Sequence, residues 1–120
     1  MSRLRFLLDE HLAHAIQDQL LRLDSEIEIL VLGQPFAPQI GASDQDILLW
    51  LERTGYALVT NNRRTMPDHI RTHYAAGHRL PGIFLLRRQV RIGQVIEHLY
   101  LLWAATEAEE YLDRVFYLPL

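Results

Sequence analysis

Short apolar segments alternate with amphipathic segments along the whole chain, and this alternation constrains the fold more than any other feature. Each apolar run has the length of a strand, and the segment after it repeats apolar residues every three to four positions, as amphipathic helices do. The predicted strands cover 3–8, 26–32, 56–60, 83–86 and 115–118, and the predicted helices cover 11–23, 43–54, 67–76 and a segment from about 91 toward 111. Strict alternation predicts an α/β fold, with a mostly parallel sheet of about five strands covered by helices on both faces.

The chain has 120 residues, fewer than the roughly 150 of an average domain, so we expect one three-layer domain over 1–120. Apolar residues make up 49% of it and charged residues 22%, a balance that excludes a disordered chain. Cysteine is absent, which excludes disulfides and thiol chemistry and favours a cytoplasmic protein. We find no signal peptide and no apolar run of the roughly 18 residues that would span a bilayer, so no membrane partner is expected.

All twelve basic residues are arginines, and they are unevenly distributed. The absence of lysine excludes Schiff-base chemistry and a P-loop lysine. Seven arginines and one acid lie in residues 61–91, the basic segment, whereas the chain on either side of it is acidic. This segment either binds an anionic partner or neutralises the protein's own acids, and composition favours neither alternative.

Acidic and amide residues follow several predicted strands. In a parallel sheet the carboxyl ends of the strands lie at one edge, where functional groups gather above the switch in strand order. Asp9 ends the first strand, Asp44 and Asp46 begin the second helix, and Asn62 follows the third strand. Oxygen ligands of this kind suit Mg²⁺ or Mn²⁺. Each acid also has a structural interpretation, because acids are favourable near helix N-termini.

Four arginines of the basic segment follow the third and fourth strands, namely Arg63, Arg64, Arg87 and Arg88. They are predicted to bind the phosphates that flank a scissile phosphodiester. A metal held by Asp9 and Asp46 would lower the pKa of a bound water and neutralise phosphate charge. The sequence therefore predicts hydrolysis of RNA or DNA at this edge.

Histidines offer weaker candidates. His69 and His73 stand four apart beside Asp68, a spacing that can hold a transition metal, but no third ligand is evident. We therefore expect both to be surface residues. His11 and His14 flank the first acids and could assist proton transfer, but we expect them to be helix-surface residues.

Four segments, in order, resemble the DUF5615 family of PIN-like proteins over nearly the full chain. They are LRFLLDEHL at 4–12, GASDQDIL at 41–48, LVT at 58–60 with its polar loop, and PGI at 81–83. The resemblance implies a PIN-type α/β domain with Mg²⁺- or Mn²⁺-dependent ribonuclease activity. It also implies a bacterial toxin–antitoxin role, with a small DUF433-type antitoxin as partner.

The resemblance places the family's first acid on Asp9 and its middle acids on Asp44 and Asp46. The family's pattern after the third strand is Thr-x-Asp-x-Asp-Phe, and here Asn62 and Arg64 stand in the two acidic positions. An asparagine can ligate a metal through its carbonyl oxygen, whereas an arginine repels the ion. A nuclease with a reduced metal site, formed by Asp9, Asp46 and Asn62, is therefore one alternative.

Two further alternatives remain. One is a non-catalytic PIN-like relative that binds RNA or a protein partner. The other is a receiver-like phosphoacceptor domain, which the absence of lysine disfavours. The apolar terminus from Val115 onward is a candidate edge strand or homodimer contact.

Overall fold

The computed structural model describes residues 2–9 and 13–119, which form a sheet with helices on both faces. Its elements in chain order are β1 (Phe6–Asp9), α1 (Ala13–Leu23), β2 (Ile29–Val31), α2 (Asp44–Thr54), β3 (Ala57–Thr60), α3 (Met66–Ala75), β4 (Ile83–Leu86), α4 (Ile92–Ala105), a 3₁₀ helix (Ala108–Tyr111) and β5 (Val115–Leu118). The predicted start of the first helix at His11 lies outside the described residues.

Within the described chain, five parallel strands form one sheet in the order β2-β1-β3-β4-β5. The predicted fold class is confirmed, and the sheet is entirely parallel. Strand order reverses at β1, which pairs with β2 on one side and with β3 on the other. The carboxyl edge of the sheet is defined here by the strand ends at Asp9, Val31, Thr60, Leu86 and Leu118, and the amino edge by the opposite ends.

Each face of the sheet carries its own apolar core because strand side chains alternate between faces. Phe6, Leu8, Val59 and Phe84 pack with α1 and α4, whereas Leu7, Leu58, Ile83 and Leu85 pack with α2 and α3. All eight are almost completely buried. The two layers of helices fix the positions of the loops at both edges.

Helix ends follow the local sequence signals. The Ser43 side chain accepts the Asp46 backbone N–H at 3.1 Å and so caps α2, as predicted. Gly55, with φ of 83°, ends the same helix. The prediction that the fourth helix extends toward Tyr111 is wrong, because the backbone becomes extended at Thr106 and a capping box at Glu107 starts the separate 3₁₀ helix.

β5 lies at the edge of the sheet and pairs with β4 alone. Val115 and Tyr117 are exposed, as expected for an edge strand. No helix of the described residues is long and apolar enough to span a membrane.

Candidate functional site

A cleft opens at the carboxyl edge where the strand order reverses, the usual ligand position in open parallel sheets. Asp9 at the end of β1 lies opposite Thr60 at the end of β3. The cleft has a volume of about 460 Å³, and its wall includes Asp9, His14 and Asn62. We call it the switch cleft. Buried β1 residues precede Asp9, so the strand places this half-buried carboxylate at the cleft.

Asn62 holds the loop after β3 in shape. Its backbone N–H donates to the Thr60 hydroxyl at 3.1 Å, and its side-chain oxygen accepts the Thr65 backbone N–H at 3.2 Å. Its amide nitrogen donates to the Thr65 hydroxyl at 2.9 Å and to Asp44 Oδ2 at 3.4 Å. Asn62 therefore presents a hydrogen-bond donor to Asp44, while its carbonyl oxygen serves the turn into α3.

Asp44 brings three elements together at this edge. It begins α2, it accepts from Asn62 after β3, and its Oδ2 lies 3.4 Å from Nε2 of His69 on α3. The side chain of Asp46, two residues later, is exposed and does not line the switch cleft. Asp44 thus contacts Asn62, and Asn62 lines the switch cleft together with Asp9.

The carboxylates of Asp9 and Asp44 are ligands of the type that Mg²⁺ or Mn²⁺ accepts. Asn62 differs, because in its present orientation it offers N–H rather than oxygen toward Asp44. Of these two carboxylates, Asp9 lines the switch cleft and Asp44 adjoins it through Asn62. The predicted ligation of a cation by Asp9, Asp46 and Asn62 stays a prediction.

A second cleft, of about 400 Å³, adjoins the switch cleft along the carboxyl edge. Arg63, Arg87 and Arg88 line it, and we call it the arginine cleft. Asn61 lines both clefts, which makes them neighbours. Arg64 is exposed and lies outside both walls. Three of the four predicted phosphate-binding arginines therefore share one cleft.

Backbone carbonyl groups at the strand ends hold two of these guanidinium groups. Arg63 donates to the Leu86 oxygen at 2.6 Å, and Arg87 Nε donates to the Pro119 oxygen at 2.7 Å. The Arg87 guanidinium also lies over the Tyr117 ring, 5.3 Å from its centre. A guanidinium has five N–H groups, so each of these arginines retains donors for a ligand.

The other arginines of the basic segment include two that are neutralised within the protein. Arg71 pairs with Asp68 on α3, and Arg79 pairs with Asp113 before β5. Neutralisation of the protein's own acids is therefore confirmed for Arg71 and Arg79, and binding of an anionic partner by the other arginines stays a prediction.

The prediction that His73 is a surface residue is wrong. His73 is 5% exposed and contacts Glu52 and His78, whereas His69 points to Asp44, so this pair does not share a site. The pKa of Glu52 lies below its usual value, chiefly because Glu52 accepts the Arg79 backbone N–H and then because of the nearby imidazoles. The sequence contained a signal for the contact of His73 with His78, because a glycine after a helix, here Gly77, turns the next residue back toward the last turn.

Comparison with known proteins leaves the family open. No model of a known family matches the chain, and neither the curated proteins nor the solved structures include a match. The resemblance to the DUF5615 PIN-like family is therefore a hypothesis that rests on the sequence segments given above.

Proposed function

We propose that the carboxyl edge binds single-stranded RNA, with the phosphates held by Arg63, Arg87 and Arg88. The observation that carries the proposal is the arginine cleft, which three arginines line together. No acidic residue is among the described residues that line it. Guanidinium groups pair with phosphate through two parallel hydrogen bonds, so the cleft favours a polyanion.

The apolar part of the arginine cleft complements this charge. Ile16, Val90, Ile92 and Val95 line it together with the arginines, and they offer contact surface to a base or ribose. A volume of about 400 Å³ is that of a small-ligand pocket. Such a pocket suits a nucleotide unit of a single strand rather than a duplex. RNA rather than DNA is the polymer that the PIN-like resemblance implies.

Binding of a short fluorescent RNA, followed by anisotropy over a salt series, tests the proposal. Arg88→Gln is the informative variant, because Arg88 is exposed and lines the cleft. We expect weaker binding and a salt slope reduced by about 0.7, the value for one lost phosphate contact on a single strand.

Arg53→Gln is the matched control, since Arg53 is also exposed but lies in the last turn of α2 at the amino edge. It should bind RNA as the wild type does. Equal weakening by both substitutions would mean that binding depends on overall charge, and the arginine cleft would not be the site.

A second candidate function is metal-dependent cleavage of that RNA by an endoribonuclease of toxin–antitoxin type. The specific observation is that Asp9 lies in the switch cleft, directly beside the arginine cleft. A divalent ion bound there would activate a water and neutralise charge on the phosphodiester. Asp9 and Asp44 would hold the ion, Asn62 and His69 would orient Asp44, and the arginines would position the strand. With this candidate function we also propose a DUF433-type antitoxin as partner, a homodimer and a cytoplasmic location.

An RNA cleavage assay with Mg²⁺ or Mn²⁺ separates the two functions. The nuclease hypothesis predicts that Asp9→Asn abolishes cleavage and retains RNA binding, while Asp18→Asn on the exposed face of α1 cleaves normally. If the wild type binds RNA without cleaving it, the nuclease hypothesis is contradicted and the binding function stands.

A further inference from the structure

A cluster of two histidines and one glutamate lies at the amino edge, opposite the edge that carries the two clefts. Glu52 lies near the end of α2, His73 near the end of α3, and His78 in the loop that leads to β4. In a parallel sheet, the helices end and the strands begin at this edge. The cluster is thus separate from the proposed RNA site.

The local backbone motif explains why the two histidines meet. Gly77, with φ of 87°, donates its N–H to the Tyr74 oxygen at 3.0 Å, and His78 donates its N–H to the His73 oxygen at 3.2 Å. These two bonds form a Schellman motif, which normally joins two apolar side chains at these positions. Here it joins two imidazoles, whose rings stack at 4.7 Å with 21° between their planes.

Glu52 completes the group from a different helix. Its Oε1 lies 3.3 Å from Nε2 of His73 and 2.9 Å from Nδ1 of His78. Its other oxygen, Oε2, accepts the Arg79 backbone N–H at 3.0 Å. A hydrogen bond to the second oxygen orients a carboxylate for ligation through the first.

The spacing of the three ligand atoms matches a first-row transition metal. All three lie within 4.8 Å of one another. With metal–nitrogen and metal–oxygen bonds of about 2.0–2.1 Å, tetrahedral ligands are separated by about 3.3 Å. Both distances from Glu52 Oε1 fall close to that value, so a metal needs only small shifts of the side chains to enter.

Burial and access also favour a metal. The His73 side chain is 3% exposed, so the protein fixes its position, whereas those of His78 and Glu52 are 43% and 32% exposed. The exposed parts of His78 and Glu52 give an ion access from solvent.

From these observations we propose that Glu52, His73 and His78 bind a divalent transition-metal ion of the Zn²⁺ class, with a fourth position left for water. Two imidazoles and a carboxylate are a zinc ligand set, and nitrogen ligands disfavour Mg²⁺. Nε2 of His73 lies 3.2 Å from the Arg79 oxygen and 3.3 Å from Glu52 Oε1. When the ion binds this nitrogen, any proton on Nε2 is released to solvent. The ion ties the end of α2 to the end of α3 and to the loop before β4.

Titration of the metal-free, full-length protein with Zn²⁺ tests the site, with any affinity tag removed. Calorimetry should show one equivalent bound to the Asp9→Asn variant, which lacks a ligand of the other proposed metal site, and the melting temperature of this variant should rise with Zn²⁺ but not with Mg²⁺. Co²⁺ in place of Zn²⁺ should give the visible absorption bands of a four-coordinate ion.

His78→Ala and Glu52→Gln remove exposed ligands and leave buried His73 in place, so the fold should persist. We expect each to raise the Kd for Zn²⁺ by more than about tenfold. His98→Ala, a histidine on α4, is the matched control and should bind as the wild type does. The proposal is overturned if the wild type binds no Zn²⁺ at micromolar concentration, or if His78→Ala and His98→Ala bind it equally. Asp9→Asn should retain Zn²⁺, which keeps this test independent of the RNA proposal.

Discussion

The two edges of the sheet use similar residue types in opposite ways. At the amino edge carboxylates have partners within the protein. Asp113 pairs with Arg79, Glu52 contacts His73 and His78, and Glu109 accepts hydrogen bonds from the Ser2 backbone and hydroxyl. At the carboxyl edge Arg63 and Arg87 donate to backbone carbonyls, and no ion pair of the described residues includes them or Arg88. The difference lies in the arginines, because Arg79 is paired with an acid at the amino edge, whereas Arg63 and Arg87 are held by backbone carbonyls at the carboxyl edge.

Hydrogen bonds at the amino edge show how strongly it holds its carboxylates. The pKa of Glu109 is lowered to about 2, first by the backbone N–H of Ser2 and then by its hydroxyl. The pKa of Asp113 is lowered by the backbone N–H of Leu80 and then by the Arg79 side chain. Both acids are therefore charged at neutral pH and tie chain segments together at this edge.

The largest effect on stability is expected from a substitution in β4, which runs between the two edges. Phe84 in β4 is completely buried and contacts the rings of Phe6, Tyr111 and Phe116. Phe84→Ala should lower the free energy of unfolding by about 3–5 kcal/mol, because it removes apolar contacts and leaves a cavity. Denaturant unfolding measures this, and both edges should be lost in one transition.

Phe36→Ala is the control for that substitution, since Phe36 is 91% exposed. Its effect should stay within about 0.5 kcal/mol. Separate transitions for the two edges in the Phe84 variant would show that the edges unfold independently. The two edges would then not be parts of one cooperative sheet.

A smaller effect distinguishes two glycines at opposite edges. Gly77 needs a positive φ, so Gly77→Ala should destabilise the protein by about 1–2 kcal/mol and weaken Zn²⁺ binding by displacing His78. Gly93 lies in the first turn of α4 without a positive φ, and Gly93→Ala should stabilise by up to about 1 kcal/mol. A methyl group meets nothing within 4 Å at either position, so thermal unfolding compares backbone conformation alone. Equal effects would contradict the assigned role of Gly77.

The smallest effect is a pH dependence at the amino edge. Because the folded pKa of Asp113 lies below its unfolded value of 3.8, its stabilisation is present above about pH 4 and is lost as pH falls through the folded pKa. Asp113→Asn retains an acceptor for Leu80 and tolerates the φ of 58° at this position. The difference in free energy of unfolding between wild type and variant should therefore shrink as the pH falls from about 5 to about 2. A constant difference over that range would show that the charge of Asp113 contributes nothing.

Periodicity predicted most of the fold because short buried strands and amphipathic helices carry distinct local signals. β4 and β5 have the predicted bounds, and α2 has its predicted cap at Ser43. The error at α4 has a local cause, because the capping box at Glu107 is satisfied only when the chain leaves the helix at Thr106. The apolar pattern continues past Thr106, so periodicity alone does not show that the helix ends there.

The location of the candidate site was predictable from the sequence, whereas the contacts of its side chains were less so. Parallel strands bring Asp9, Asn62 and Arg63 to one edge whatever the details, and the alternation of elements is enough to infer that. The contact of Asn62 with Asp44 and that of His73 with Glu52 join separate elements of the chain. No local pattern encodes such contacts, whereas Gly77 was a local signal for the meeting of His73 and His78.

The most direct test of the contrast between the edges is a residue-resolved titration of the ¹⁵N-labelled protein with a short single-stranded RNA, followed by NMR. We expect chemical-shift changes at Asn61, Arg63 and Arg88, with the signals of Glu52 and His78 unchanged. Shift changes centred on Glu52 and His78, or no change at any residue, would contradict it.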